Sequence, residues 1–213
     1  MRRREWLERA RLYLICEAYP GGREPEELLR PALRGGVDVV QLRDKSASQS
    51  EIVRAARTFR RLCDAYDALF VINDRPELSI ACGADGVHLG QQDASIEQVR
   101  GLVGPDHLIG LSTHSPEQVD AVDGADYFAV GPVYATPTKP TYEPVGTELV
   151  RYAASHARLP FFAIGGIDSG NVAEIAAAGA GRVAVVRAIR DADDPEAAAH
   201  SLRAGLGAFA EVG

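Results

Sequence analysis

The stretch 37–72, VDVVQLRDKSASQSEIVRAARTFRRLCDAYDALFVI, decides the fold. Val37 to Leu42 is an apolar run that reads as a strand, and Leu69 to Ile72 is another. Between them, Ser48 to Tyr66 sets Ile52, Val53, Ala56, Phe59, Leu62 and Cys63 at the spacing of one helix face. Both strand runs are continuously apolar rather than alternating, as in strands of a parallel sheet covered on both faces.

The same alternation extends in both directions. Upstream, Leu12 to Cys16 is a strand. Pro25 then opens a helix through Leu28, Leu29 and Leu33 that Gly35-Gly36 closes. Downstream come a short helix (Pro76 to Cys82), a strand (Gly86 to Leu89), a helix capped near Ser95 and a strand (Leu108 to Leu111). Ser115-Pro116-Glu117 starts the next helix, with cap and proline in their favoured places. Tyr127 to Val130, Phe161 to Ile164 and Val183 to Val186 are strands; Thr147 to His156, Asn171 to Ala178 and Pro195 to Phe209 are helices. About eight strand–helix units result, the count of a (β/α)8 TIM barrel, here one α/β domain over residues 1–213 with short loops. The alternative is an open doubly wound sheet. That fold usually has a glycine-rich first turn, and the loop after Cys16 offers only Gly21-Gly22.

Composition is that of an ordinary globular protein: 46% hydrophobic and 25% charged among 213 residues. A net charge of -7 argues against a nucleic-acid partner. The cysteines Cys16, Cys63 and Cys82 lie far apart, with no zinc-like spacing and no disulfide framework, which points to a reducing compartment. Arg2, Arg3 and Arg4 make the N-terminus basic, but no signal-peptide core follows and no run is long enough to cross a bilayer. A cytoplasmic protein is expected, with no membrane partner and with a homo-oligomer left open.

In such barrels chemistry collects where the strands end. The second strand runs into Gln41-Leu42-Arg43-Asp44-Lys45; if it continues, period two puts Gln41, Arg43 and Lys45 on one side, and two cations there need an anion between them. The third runs into Asn73-Asp74-Arg75 and the fourth reaches Asp93. These two acids could share a magnesium ion completed by water and phosphate, or each could cap the following helix. His88 reads as a satisfied core histidine. Ser112-Thr113-His114 suits hydroxyl hydrogen bonding to a ligand better than nucleophilic attack, because no orienting acid is evident. After the sixth strand, Gly131-Pro132 stops the run, and Thr136-Pro137-Thr138-Lys139 offers two hydroxyls and an ammonium to a phosphate, or is an ordinary loop. Gly165-Gly166 is either a backbone phosphate cradle or a tight turn, and Val186-Arg187 follows the last strand. Two phosphate sites and a metal imply two phosphorylated reactants. If one is a diphosphate, the cations and metal would stabilise it as a leaving group.

In this order the segments resemble thiamine-phosphate synthase. The matching pieces are Gln41 to Lys45, Asn73 to Arg75, Asp85 to Gln91 with Asp93, and Ser112 to His114. Gly131 to Tyr134 with Thr136 to Lys139, and Ala163 to Ile167, complete the set. The resemblance spans nearly the whole chain. It implies a magnesium-dependent transferase that joins a pyrimidine diphosphate to a thiazole phosphate and releases pyrophosphate. It assigns Gln41, Arg43, Lys45, Asn73, Ser112 and Lys139 to the pyrimidine diphosphate, and Asp74 and Asp93 to Mg2+. Arg43, Lys45, Lys139 and Ser112 would be the catalytic groups. Thr136, Pro137 and Thr138, with Gly165, Gly166, Val186 and Arg187, would face the thiazole phosphate. Two positions depart from the family's pattern. Asp44, a substrate-binding candidate, stands where Glu is frequent. Arg187 stands where Ser is usual, so its guanidinium could bind the thiazole phosphate or crowd it. The alternatives are a thiazole tautomerase, which should need neither the acids nor Lys139, and a non-catalytic thiazole-phosphate binder.

Overall fold

The structure is a computed structural model and describes residues 2–136 and 143–207. Eight parallel strands close on themselves in sequence order. A first helix, α1 (Arg2–Arg9), precedes β1 (Leu12–Cys16), α2 (Pro25–Arg34), β2 (Val39–Leu42), α3 (Gln49–Ala65) and β3 (Leu69–Asn73). Then follow α4 (Pro76–Ala81), β4 (Gly86–Leu89), α5 (Ile96–Val103), β5 (Leu108–Thr113), α6 (Pro116–Asp120) and β6 (Tyr127–Val130). The last third holds α7 (Gly146–His156), β7 (Phe161–Ile164), α8 (Val172–Ala177), β8 (Val183–Val185), α9 (Arg187–Arg190) and α10 (Pro195–Gly205). Leu12 of β1 lies opposite Val183 of β8, which closes the ring. The (β/α)8 expectation holds, and the open sheet is excluded by that closure.

Strand side chains divide by period two. Leu12, Leu14 and Cys16 of β1 face outward into the layer shared with the helices, where α3 adds Ile52, Ala55, Phe59 and Leu62. Tyr13 and Ile15 face inward and meet Val39, Leu69, Val71, Leu108, Tyr127 and Phe162 in the barrel interior. Each large side chain fully removed from water stabilises by about 1.5–3 kcal/mol, so both layers matter. Helix starts follow their caps: Ser48 and Glu51 form a reciprocal box at α3, and Ser95 and Gln98 form one at α5.

Helix α1 was not expected from the basic N-terminus. Leu7 and Ala10, with Trp6 against them, join the interior cluster and plug the bottom of the barrel. Its arginines enter a repeated clamp there. Asp38, Asp85 and Asp126 each stand one residue ahead of an even strand and accept an N–H at an odd one. Asp38 takes Leu12 N at 3.0 Å, Asp85 takes Phe70 N at 2.9 Å and Asp126 takes Ile109 N at 2.8 Å. A helix also supplies an arginine to each carboxylate: Arg203 of the last helix, α10, at 2.6 Å, Arg60 of α3, which leads into β3, at 2.7 Å and Arg100 of α5, which leads into β5, at 2.6 Å. Arg3 and Arg4 of α1 add further bonds to Asp85 and Asp126. Ahead of β8 the pattern inverts. Arg182 stands where an aspartate would, and it donates to the carbonyls of Glu8 and Ala10 at the end of α1.

Differences at element ends have local causes. β2 starts at Val39 because Asp38 turns its carboxylate to the start of β1. β5 runs on through Ser112 and Thr113, whose hydroxyls find partners inside the fold: Thr113 Oγ1 donates to Ala129 O at 3.0 Å. The last helix ends at Gly205, and Phe209 lies outside the described residues. No helix among the described residues is long and apolar enough to cross a membrane.

Asp126→Ala is expected to lower stability by roughly 1–3 kcal/mol, since the buried N–H of Ile109 loses its acceptor. Urea denaturation would measure this, and an unchanged midpoint would contradict the clamp.

Candidate active site

All eight strands lead to one cavity of about 390 Å³ at their C-terminal ends. Ile15, Gln41, His88, Ser112, Ala129 and Ala184 are inward-facing strand residues that line it. Arg43, Thr136, Gly165, Gly166, Val186 and Arg187 border it from the following loops. A second hollow of about 210 Å³ holds Asp44, Lys45, Asp74 and Arg75, and Asn73 lines both.

β2 stops at Leu42, so Arg43 and Lys45 do not share a strand face. Arg43 is half-buried in the cavity wall, while Lys45 is exposed in the second hollow beside Asp74. The two cations thus border adjoining spaces with Asn73 between them. Asp44 turns into its own loop: its carboxylate accepts from Ala18 N at 3.2 Å, Ser46 N at 3.0 Å, Ser46 Oγ at 2.8 Å and Ala47 N at 2.9 Å. Burial pushes this carboxyl up, but those hydrogen bonds prevail and hold it below the usual range.

Asp74 sits in the left-handed region at φ 60°, which among side-chain residues Asp and Asn tolerate best. Its N–H donates to His88 O at 2.9 Å, which ties the end of β3 to β4. Burial and the facing Asp93 carboxylate raise the Asp74 carboxyl above its ordinary range, against the pull of Lys45 and Asn73. Asp93 is exposed and held by a 2.7 Å hydrogen bond from Gly90 N. The acids are therefore paired with each other at two neighbouring strand ends. Among the described residues no cluster of three or more His, Cys, Asp or Glu side chains is placed to hold a metal. Two hard oxygen donors that repel each other do suit an octahedral divalent ion whose other ligands are water and phosphate oxygens.

At the far wall, the Gly131–Pro132 peptide is cis. Gly165 and Gly166 have φ of 104° and 66°, and a Cβ on Gly166 would come 2.6 Å from that of Tyr134. Only glycine lets the β7 turn pass this close to the β6 loop. Val133 N and Tyr134 N donate to Ile164 O and Gly165 O at 2.8 and 3.0 Å, and lock the two together. Arg187 is exposed at the start of α9, on the cavity rim. Pro137, Thr138 and Lys139 lie outside the described residues.

His88 is buried, in keeping with the core reading, yet it also lines the cavity and contacts Ser112 Oγ at 3.0 Å. Tyr13 and Tyr127 beneath it were not expected as polar participants. Inside an apolar run, a tyrosine reads as one more hydrophobic side chain, and its hydroxyl gains meaning only from partners on other strands.

Fold and site together define a (β/α)8 barrel whose mouth gathers cations, an acid pair and a glycine turn around one cavity and an adjoining hollow. Residues 12–189 match the family model described as thiamine monophosphate synthase, and the chain belongs to that family. It is 46% identical over 211 residues to the thiamine-phosphate synthase of Thermobifida fusca, covering 97% of each chain. It is 49% identical over 191 residues to that of Gloeobacter violaceus, covering 89% of this chain and 55% of that protein. The chain thus spans about half the length of some curated relatives it matches. Among solved structures, the thiamine phosphate pyrophosphorylase of Pyrococcus furiosus superposes with a TM-score of 0.83 at 34% identity, covering 95% of this chain and 96% of that one.

Since the two carboxylates repel, Asp93→Asn in metal-free buffer at pH 7 is expected to melt no lower than the wild type. A calorimetric scan checks this. A clear drop in melting temperature would mean that the pair is a structural feature rather than a strained ligand set.

Proposed function

We propose that this chain is a thiamine-phosphate synthase acting as one barrel domain. It joins 4-amino-2-methyl-5-(diphosphooxymethyl)pyrimidine to hydroxyethylthiazole phosphate, or its carboxylated form, and releases pyrophosphate. The observation that carries this reading is the Asp74–Asp93 pair, set beside Lys45 and Asn73 at a mouth shared with Arg43, Gln41 and Ser112. A binder of one thiazole phosphate has no use for an acid pair, and a tautomerase should need neither acid.

The acids fit a divalent ion, and Asp74 and Asp93 would hold Mg2+, which neutralises charge on a departing diphosphate. Arg43 and Lys45, with Lys139 from the sequence pattern, hold the diphosphate oxygens and stabilise the negative charge that grows on them. Asn73 bonds diphosphate, and Gln41 and Ser112 hold the pyrimidine ring. The carbon–oxygen bond to the diphosphate breaks with its electron pair leaving on oxygen, and the thiazole nitrogen lone pair then bonds the pyrimidine methylene carbon. Thr136, Gly165, Gly166 and Val186 face the thiazole phosphate, Arg187 adds a guanidinium there, and Pro137 and Thr138 are assigned to the same phosphate from the sequence pattern alone. Asp44 serves the site by shaping the loop that carries Arg43 and Lys45. Three free cysteines and the absence of a membrane-crossing helix among the described residues support a cytoplasmic setting.

Pyrophosphate release from the two substrates should require Mg2+ and stop on chelation. Asp74→Asn, Asp93→Asn and Lys139→Ala should each lower kcat at least about a hundredfold without unfolding the barrel. Full release under chelation, or full activity of all three variants, would refute the assignment.

A further inference from the structure

Below the cavity a run of hydrogen bonds crosses the barrel interior from β2 to β5. Gln41 Nε2 donates to the Tyr13 hydroxyl at 2.7 Å, and that hydroxyl lies 3.0 Å from the hydroxyl of Tyr127. Tyr127 Oη is 3.2 Å from His88 Nδ1, and His88 Nε2 is 3.0 Å from Ser112 Oγ. Both phenols are almost wholly enclosed, at 2% and 1% exposure, so bulk water does not serve them. Phe162 packs edge-on against both rings at centroid distances of 5.3 and 5.8 Å and fixes their positions. Gly110 of β5 leaves the room: a Cβ there would come 2.2 Å from the Tyr127 ring and 2.5 Å from His88 Nδ1.

Proton counting gives this run a direction. Each phenol has one proton to give. Tyr13 receives from Gln41, and among the described residues Tyr127 is the acceptor left for its own proton. Tyr127 in turn gives to His88 Nδ1. A neutral imidazole that accepts at Nδ1 carries its proton on Nε2, and that proton goes to Ser112 Oγ. Ser112 then has its hydroxyl proton left for the cavity. At the other end, Gln41 spends an amide N–H inward, and no hydrogen bond among the described residues uses its carbonyl oxygen. Burial, the main effect on both hydroxyls, drives both phenols well above their ordinary titration range, so their protons stay in place at working pH.

We propose that Tyr13, Tyr127 and His88 are positioning residues that set the polarity of the cavity floor, so that Ser112 offers a donor and Gln41 an acceptor. The inference rests on the function proposed above and says which ring the floor selects. An aromatic ring with nitrogens that accept and an amino group that donates matches this pair across the cavity they both line. The aminopyrimidine carries both, whereas the thiazole ring has no donor. Reversing the chain would leave the Tyr13 proton buried with no acceptor, a cost of about 1–3 kcal/mol.

The test combines two readouts. In ligand-free enzyme labelled with 15N-histidine, His88 should be the Nε2–H tautomer. Tyr127→Phe keeps the ring but removes the link; it should lose that fixed tautomer and raise KM for the pyrimidine diphosphate about tenfold, the worth of one oriented hydrogen bond. KM for the thiazole phosphate should stay close to wild type, while the melting temperature should fall by the few degrees that one unpaired Tyr13 hydroxyl costs. Tyr13→Phe instead frees the Gln41 amide while Tyr127 still serves His88, so it should raise the same KM with the tautomer kept, and it serves if Tyr127→Phe melts early. An Nδ1–H tautomer in the wild type, or an unchanged pyrimidine KM in both variants, would overturn the inference. A wild-type enzyme that released no pyrophosphate would refute the assigned function, while the tautomer would still be decided by the spectrum.

Discussion

Asp38, Asp85 and Asp126 each take a backbone N–H at one strand while standing at the foot of the next. That contact fixes how neighbouring strands begin, and the rest of the architecture follows. Parallel strands that start together end together, so eight chain ends meet at one mouth. The clamp recurs every two strand–helix units, with its arginine drawn from α10, α3 and α5 in turn. In the fourth unit Arg182 anchors the end of α1 instead. The sealed lower face contributes stability, which leaves the upper face free to hold unfavourable arrangements.

Two such arrangements lie near the mouth. Asp74 occupies the left-handed region with a like charge facing it. Such a feature persists only where its surroundings over-determine it, and here the Asp74 N–H bond to His88 O fixes the backbone. The polar run through Tyr13, Tyr127 and His88 is the second. In a barrel interior otherwise filled by apolar side chains, every member of that run must be paired, because an orphaned hydroxyl costs more than the bond returns. Complete pairing turns a possible weakness into a fixed pattern of donors and acceptors beneath the ligand.

Much of this was legible in the chain. Strands β1, β4, β6 and β7 begin and end where their apolar runs do, since a strand covered on both faces leaves little choice of residue. Prolines and serines marked helix starts because their chemistry is local. Polarity with a distant partner was not legible. The apolar run of β5 ends at Leu111, yet Ser112 and Thr113 extend the strand, because their partners lie on β4 and β6. The helical role of Arg2 to Arg9 was hidden for the same reason: Arg3 and Arg4 find their aspartates 82 and 122 residues away. Strand period placed Arg43 and Lys45 together, and the end of β2 at Leu42 separates them into adjoining spaces. The pairing of Asp74 with Asp93 was anticipated from their places after consecutive strands, a property of topology that the strand count supplies.

A barrel alone does not fix a chemistry; the charge-gathering centre made of two acids and nearby cations does. Calorimetric titration of inorganic pyrophosphate into the enzyme, with and without Mg2+, tests that centre most directly. Mg2+ should tighten binding at least about tenfold in the wild type and have no effect once Asp74 and Asp93 are both asparagine. Equal affinity with and without the ion in the wild type would contradict the account.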